Sequence, residues 1–274
     1  MKFSVSVVAI LAVVSLAVSC PPVLAHNLWL NPENYYPEVG TTVDIGIGWG
    51  HTYPANRVDQ EVKEGRVEAI SAVDPDGQTV ELAKASTALY KLTVEKAGAY
   101  LIIARIKPGV FTMTPEGRKW GDKQTVANAV KCTNFHLEAK TVIIAGGSDK
   151  NLSYPAGQPL EVILLTSPHE LKGGDQLPVR VLFEGKPLSG ASIRATYAGF
   201  EEQDMAPHNA ASAGGKSHHR LFPAEALTDG QGQALLPMGK SGFWMIMLSH
   251  KPPYPDAEVC DEYMYNTAFT FQVQ

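Results

Sequence analysis

The chain is poor in cysteine and has no cluster of basic residues. Three cysteines in 274 residues, with no Cys-x-x-Cys pair, argue against a cysteine-rich disulfide framework and against a thiolate zinc site. Lys and Arg number 23 against 28 Asp and Glu, which gives a net charge of −5. Because phosphate backbones are bound by basic surfaces, this mild acidity argues against nucleic acid as a partner and fits cations or neutral ligands better.

The sequence has one long apolar run, at the amino terminus, and lacks a second one. Lys2 followed by the apolar stretch Val5–Val18 is typical of a secretory signal and is too short for a comfortable membrane anchor. Ala25 suits signal-peptidase cleavage before His26, so residues 1–25 are predicted to be a signal peptide and the protein to be periplasmic or secreted. The alternative is a lipoprotein that begins at Cys20.

Familiar catalytic motifs are absent from the sequence. There is no Gly-x-Ser-x-Gly elbow, no His-Glu-x-x-His helix and no phosphate-binding Gly-x-x-x-x-Gly-Lys-Ser/Thr loop. The sequence therefore favours a protein that is not an enzyme.

What the sequence does contain is a series of short segments that alternate between apolar and polar residues with period two, as half-buried strands do. The predicted strands are Thr42–Trp49, Val67–Val73, Thr79–Leu82, Leu89–Val94, Ala99–Arg105, Leu137–Ala145, Leu160–Leu165, Gln176–Phe183, Ala191–Tyr197, Gln233–Pro237, Gly242–Leu248 and Ala268–Val273. Their spacing predicts an all-β protein built from β-sandwiches.

A small, polar segment at 145–150 divides the series in two and predicts a domain boundary. We therefore predict an N-terminal β-sandwich domain over 26–148 and an immunoglobulin-like or transthyretin-like β-sandwich domain over 149–274. Within the first half, the irregular segment Lys107–Gly121 is predicted to be a long loop, and Lys123–Glu138 is the one predicted helical insertion. Cys132 and Cys260 remain after signal cleavage, and the sequence leaves open whether they form a disulfide or stay as buried thiols.

Histidines provide the candidate metal ligands. Cleavage before His26 would give one residue an imidazole and a free α-amine, which together suit nickel, cobalt, copper or zinc. His51 lies at a predicted strand end between glycine and aromatic residues, where it could join His26. His250 ends another predicted strand and is a further candidate, against the alternative of a half-exposed histidine with no ligand.

Three more histidines, His208, His218 and His219, fall in the long polar segment 199–225 between strands. Such a long connection within a compact sandwich tends to be functional or disordered. We predict His218 and His219 as metal ligands in this segment, against the alternative of a solvated loop. His136 and His169 have no ligand-like neighbours and are predicted to be ordinary surface histidines.

Several motifs resemble those of one known family. They are His26–Pro32 (HNLWLNP), Gly48–Pro54 (GWGHTYP), Gly185–Ala191 (GKPLSGA) and Thr228–Gly232 (TDGQG). Over nearly the whole mature chain, the sequence resembles a secreted domain-of-unknown-function family described as the periplasmic component of a cobalt or nickel ABC-type transport system. The resemblance implies a two-domain β protein that handles a divalent transition metal outside the cytoplasmic membrane, with His26 and His51 on the motif positions.

The leading hypothesis is therefore a periplasmic protein that captures nickel or cobalt and passes it to a membrane ABC-type transporter. Copper or zinc is chemically as acceptable to nitrogen ligands, and the affinity order alone favours copper. Two other classes stay open. One is a structural or adhesion-type envelope module, and the other is a copper oxygenase that uses an amino-terminal histidine brace.

Overall fold

Strands are the dominant secondary structure in the described part of the protein, as the alternating sequence predicts. The computed structural model describes residues 27–50, 53, 62–200 and 222–274. Within these residues the only helix is one short 3₁₀ turn, Pro168–Glu170. The prediction of an all-β sandwich class is confirmed.

The described strands form three sheets. The outer N-terminal sheet contains, in spatial order, β1 (Asn27–Pro32), β2 (Thr42–Gly50), β6 (Leu89–Thr93) and β5 (Ala83–Lys84). The central sheet contains β15 (Ala224–Leu227), β14 (Ser192–Tyr197), β17 (Gly242–His250), β18 (Glu262–Val273), β10 (Lys131–Ala145), β7 (Gly98–Ile106), β3 (Val67–Val73) and β4 (Thr79–Glu81). In addition, β8 (Gly109–Thr114) pairs with β10, and β9 (Gly117–Trp120) pairs with β8. The outer C-terminal sheet contains β11 (Leu160–Leu164), β12 (Gln176–Phe183) and β13 (Lys186–Pro187), with β16 (Gln233–Pro237) on β12.

The central sheet is covered on both faces, and strand β10 shows how. Its odd-numbered side chains, such as Leu137 and Ile143, enter the core shared with the outer N-terminal sheet. Its even-numbered side chains Val142 and Ile144 enter the core shared with the outer C-terminal sheet. Because successive side chains of a strand point to opposite faces, a strand buried on both faces reads as a continuous apolar run. This explains the unbroken apolar end of β10.

The two sequence halves meet in the central sheet. Strand β10 pairs in parallel with β18, for example His136 with Tyr265 and Thr141 with Thr270. After β10 the chain turns at Gly146 and Gly147, whose φ values of 60° and 66° suit glycine. The division into domains 26–148 and 149–274 stays a prediction, since one continuous sheet contains strands from both sides of it.

Two local predictions are wrong. The helix predicted over Lys123–Glu138 is replaced from Lys131 onward by β10, which gains ladder partners in both β8 and β18. The loop predicted over Lys107–Gly121 is the hairpin β8–β9, in which Thr114 pairs with Gly117 around a two-residue turn. Proline in this segment marks two short turns and not a long loop, because Pro108 separates β7 from β8 and Pro115 is in the turn between β8 and β9.

A disulfide joins Cys132 to Cys260, with a Cα–Cα distance of 4.8 Å, and decides the alternative that the sequence left open. Cys132 is the second residue of β10, and Cys260 is two residues before the start of β18. The backbone N–H of Cys132 also donates to the Asp261 carboxylate at 2.7 Å. The bond and the hydrogen bond together fix the beginning of the parallel pair.

One ion pair is buried between the central and outer C-terminal sheets. Lys140 and Glu161 are 1% and 2% exposed, and their Nζ and Oε1 atoms are 2.6 Å apart. Glu161 also accepts hydrogen bonds from the backbone N–H groups of Ala156 and Gly157. Burial lowers the pKa of Lys140, while the Glu161 carboxylate opposes that shift. Each charge therefore depends on the other for its compensation in the core.

Candidate functional site

Most of the predicted metal ligands lie outside the described residues. These are His26, His51, His218 and His219, together with His208. His250, His136 and His169 are described. Among the described ranges, no group of three or more His, Cys, Asp or Glu side chains is arranged to hold a metal ion. The structure therefore bears on the metal hypothesis through the described residues that flank His26 and His51.

The flanking residues of both histidines are cross-strand partners. Asn27, which follows His26 in the chain, pairs with Gly50, which precedes His51. Gly50 has a φ of 150°, a conformation that residues with a side chain rarely adopt, so glycine is required just before His51. We call this region, made of Asn27, Trp29, Gly48, Gly50, Tyr53 and Met247, the β1–β2 corner.

Trp29 and Tyr53 anchor the β1–β2 corner. The Trp29 ring is 1% exposed and meets the Tyr53 ring edge-on, with 5.9 Å between centroids. The Tyr53 hydroxyl donates to the carbonyl oxygen of Trp244 at 3.2 Å. Tyr53 comes two residues after His51, so the chain is held against β1 on both sides of that histidine.

A thioether lies at the same corner. The Asn27 side-chain amide donates to Met247 Sδ at 3.5 Å. Thioether sulfur is a soft ligand that suits copper, whereas imidazole suits nickel, cobalt, copper and zinc. The buried indole N–H of Trp29, a residue in the same small cluster as Met247, has no hydrogen-bond partner among the described residues. A buried donor without a partner is costly, so the corner contains an unsatisfied polar group of the kind that functional sites retain.

Gly48 makes the close packing of the corner possible, and its replacement gives a testable prediction. A Cβ atom at position 48 would overlap the Trp29 indole. We expect Gly48→Ala to lower the free energy of unfolding by about 1–3 kcal/mol, because the buried ring has to move. Gly46→Ala on the same strand is the control, since its Cβ would be 3.7 Å from the nearest atom, Asn31 O. Urea denaturation of both variants measures the difference, and equal stability would contradict this view of the corner.

His250 lies on the other side of the central sheet. Its strand places Trp244, Ile246 and Leu248 in the core beneath the outer C-terminal sheet, and Met247 in the cluster with Trp29. By this alternation the His250 side chain shares the face of Trp244, and its ring is 4.5 Å from the Phe183 ring. The structure therefore does not bring His250 to the β1–β2 corner.

Around His250 the structure forms a cluster of rings that we call the aromatic platform. Its members are Phe183, His250, Tyr265, His136, Tyr263 and Tyr254. Tyr265 is at the centre, because its strand pairs it with His250 on one side and with His136 on the other. The His136 ring stacks on Tyr265 at 4.7 Å with 21° between the planes. All six side chains are partly exposed.

The platform presents neutral rings. Burial lowers the pKa of both His136 and His250, so their imidazoles lose the proton more readily than free histidine does. Burial raises the pKa of Tyr265, and the neighbouring Tyr263 raises it further. His136 Nε2 has no hydrogen-bond partner within the described ranges. The surface is thus a row of uncharged aromatic groups, and the unpartnered His136 Nε2 atom is itself buried.

Sequence reasoning missed this platform and treated His136 as an ordinary surface histidine. The alternation of Tyr263 and Tyr265 was a usable signal, since it places two large rings on one face of a strand. The parallel neighbour that adds His136 was not predictable from spacing along the chain. His169, the other histidine set aside, lies 4.6 Å from the Tyr36 ring.

The fold identifies the protein as an all-β sandwich, and the β1–β2 corner is its candidate ligand site at a strand end. The sequence matches the family called domain of unknown function DUF4198 over residues 23–252, and the chain belongs to that family. No curated protein matches it. No helix among the described residues is long and apolar enough to cross a membrane.

Solved structures give distant likenesses. The chain is similar to the D00-D0 domain of intimin at 12% identity, covering 90% of this chain and 99% of that one, with a TM-score of 0.20. It is also similar to fibronectin(III)-like modules of Clostridium thermocellum CbhA at 9% identity, covering 89% and 94% with a TM-score of 0.22. A Salmonella alpha-2-macroglobulin mutant matches at 14% identity, covering 96% of this chain and 16% of that one, with a TM-score of 0.24.

Proposed function

We propose that the protein binds a divalent transition metal, nickel or cobalt, in the periplasm through His26 and His51 and delivers it to a membrane ABC-type transporter. In this proposal the α-amine and imidazole of His26 and the imidazole of His51 supply nitrogen ligands. The protein is then a carrier and not an enzyme. The proposal extends the family membership to a function that the family name leaves undefined.

The observation that carries the proposal is the pairing of Asn27 with Gly50. A shared metal ion needs two imidazoles to approach within a few ångströms, and the chain neighbours of His26 and His51 are already cross-strand partners. Tyr53 adds support, since its contact with Trp29 holds the chain to β1 shortly after His51. The pairing of β1 with β2 therefore supports a backbone arrangement of the kind that such a site requires.

The test is a titration of the exported protein with nickel, cobalt, copper and zinc. Loss of a group that only orients a metal ligand typically weakens binding about 10–100-fold, so we expect His26→Ala and His51→Ala each to lower affinity by about a hundredfold or more. Protein made with an extra methionine before His26 should lose affinity as well, because its amine is no longer on the histidine. Isothermal titration calorimetry measures the affinity of each protein for each ion.

His250→Ala is the matched control, because its ring lies on the opposite face of the central sheet from the β1–β2 corner. We expect its metal affinity to equal that of the wild type. Equal affinity in wild type and His26→Ala would refute the assignment. Amino-terminal sequencing that finds a lipidated Cys20 would also refute it, because the amine of residue 26 would then be part of a peptide bond.

Met247 bears on which metal ion the site would prefer. Its sulfur lies at the corner beside Asn27, and a thioether near imidazoles favours copper over nickel or cobalt. Preference for copper that is weakened by Met247→Leu would reassign the cargo to copper while keeping the two histidines. Copper-dependent peroxide formation with a reductant would instead support the histidine-brace oxygenase.

A second candidate function is an envelope binding module in which the histidines of the chain are incidental. The aromatic platform favours it, because partly exposed tyrosines supply large contact areas at low conformational cost. Absence of any metal affinity, together with retained ligand binding by the platform, would select this function.

A further inference from the structure

The aromatic platform lies where the outer C-terminal sheet ends. Phe183 is the last residue of β12, and its ring meets the Tyr265 ring at 65° with 5.3 Å between centroids. Tyr263 continues the row at 5.6 Å from Tyr265. Phe183 and Tyr265 therefore form two walls at a steep angle, and both walls are partly exposed.

The residue after Phe183 has an unusual backbone conformation. Phe183 pairs with Lys186, so Glu184 and Gly185 form a two-residue hairpin turn. Their φ values are 49° and 74°, which is the left-handed pattern that favours Asn-Gly or Asp-Gly. A longer side chain such as Glu is disfavoured at φ > 0. Non-glycine residues in such conformations concentrate at functional sites.

The carboxylate of Glu184 is an exposed, unpaired charge of this region. The neighbouring carboxylate of Glu138 is paired with Arg105, and that of Glu262 is paired with Lys131. Glu184 has neither an ion-pair nor a side-chain hydrogen-bond partner among the described residues. Glu184 is exposed in the turn directly after Phe183. Burial is the main cause of the raised pKa of Tyr263 and of Tyr265, and the Glu184 charge makes a smaller contribution to each, so the carboxylate lies near both rings.

We propose that Glu184 and the aromatic platform form a binding site for a small soluble organic cation that carries a quaternary ammonium group. Such cations are weakly hydrated and bind to the faces of aromatic rings, here Phe183, Tyr263 and Tyr265. The carboxylate of Glu184 supplies the opposite charge at the rim. A metal ion would need several further ligand atoms, and the described residues hold no such group there.

Choline is the probe. We expect saturable binding of choline to the full-length exported protein. Tyrosine fluorescence or calorimetry measures this binding. Its uncharged analogue dimethylbutanol, in which carbon replaces the nitrogen, should bind about tenfold or more weakly, since a cation–π contact of about 1–2 kcal/mol is lost. Equal binding of the two compounds would overturn the proposal.

The turn allows a variant in which binding and stability change in opposite directions. Glu184→Asn places the favoured residue in the left-handed position and should unfold at a higher denaturant concentration than the wild type. The same variant should bind choline about tenfold more weakly because the rim charge is gone. Glu184→Gln keeps the side-chain length and should show the same loss of binding. Unchanged choline affinity in both variants would refute the role of Glu184.

Two controls distinguish this site from a lipid-binding surface and from the metal site. Phosphatidylcholine vesicles display the same ammonium group. If the protein floats with these vesicles but does not bind free choline, the assignment to a soluble ligand is overturned. His26→Ala should keep full choline affinity, because the β1–β2 corner and the platform are on opposite faces of the central sheet. If His26→Ala loses metal binding and keeps choline binding, the two sites are independent, so each proposal can fail without the other.

Discussion

Replacing Lys140 with methionine is expected to lower the free energy of unfolding by about 3–5 kcal/mol, because the Glu161 carboxylate then stays buried without its partner charge. The pair is almost completely enclosed, at 1% and 2% exposure. Urea denaturation at neutral pH measures the change. The double variant Lys140→Met with Glu161→Gln should recover most of the loss, since no charge is then buried.

The exposed pair of Lys84 and Glu64 is the control for this experiment. Its side chains are 50% and 73% exposed, so solvent and salt screen the attraction between the two charges. Lys84→Met should therefore leave stability nearly unchanged. A loss in Lys140→Met no larger than that in Lys84→Met would contradict the assignment of a mutually dependent buried pair.

The second large effect is expected at the disulfide. Cys132→Ser with Cys260→Ser should lower the free energy of unfolding by about 2–5 kcal/mol. The bond closes a loop with a sequence separation of 128, and a long closed loop restricts the unfolded chain strongly. Denaturation with and without reductant provides an internal check. Wild type should lose stability on reduction, whereas the double variant should not respond, and an unresponsive wild type would exclude a stabilising bond.

Strand positions were predictable because most of them depend on local alternation. Val67–Val73 and Gln176–Phe183 are strands with the bounds that their period-two patterns indicate. The Lys123–Glu138 helix failed for the opposite reason. The start of β10 becomes a strand through pairing with β8 and with the distant β18, and no short window of sequence contains those partners.

The candidate sites were predictable to different degrees. The sequence directed attention to His26 and His51, and the structure adds what spacing could not supply, namely the Asn27–Gly50 pairing and the nearby Met247 sulfur. The ligand roles of these histidines stay predictions. The platform was missed because its members come from β10, β12, β17 and β18 and from the Tyr254 segment, which meet only when the sheets assemble. Glu184 was not predicted as a site residue either, since its left-handed φ is a property of the folded turn.

The parallel pair β10–β18 has a consequence for how the molecule reaches its native state. Thr133 and Glu262 are partners 129 positions apart, and they begin the pairing of the two strands in the middle of the central sheet. Proteins dominated by such distant contacts fold slowly, because chain entropy is lost before the contacts form. We therefore expect the search of these two segments for each other to limit the folding rate. Oxidation of Cys132 and Cys260, which are one and two residues before Thr133 and Glu262, tethers the same segments and should speed that search.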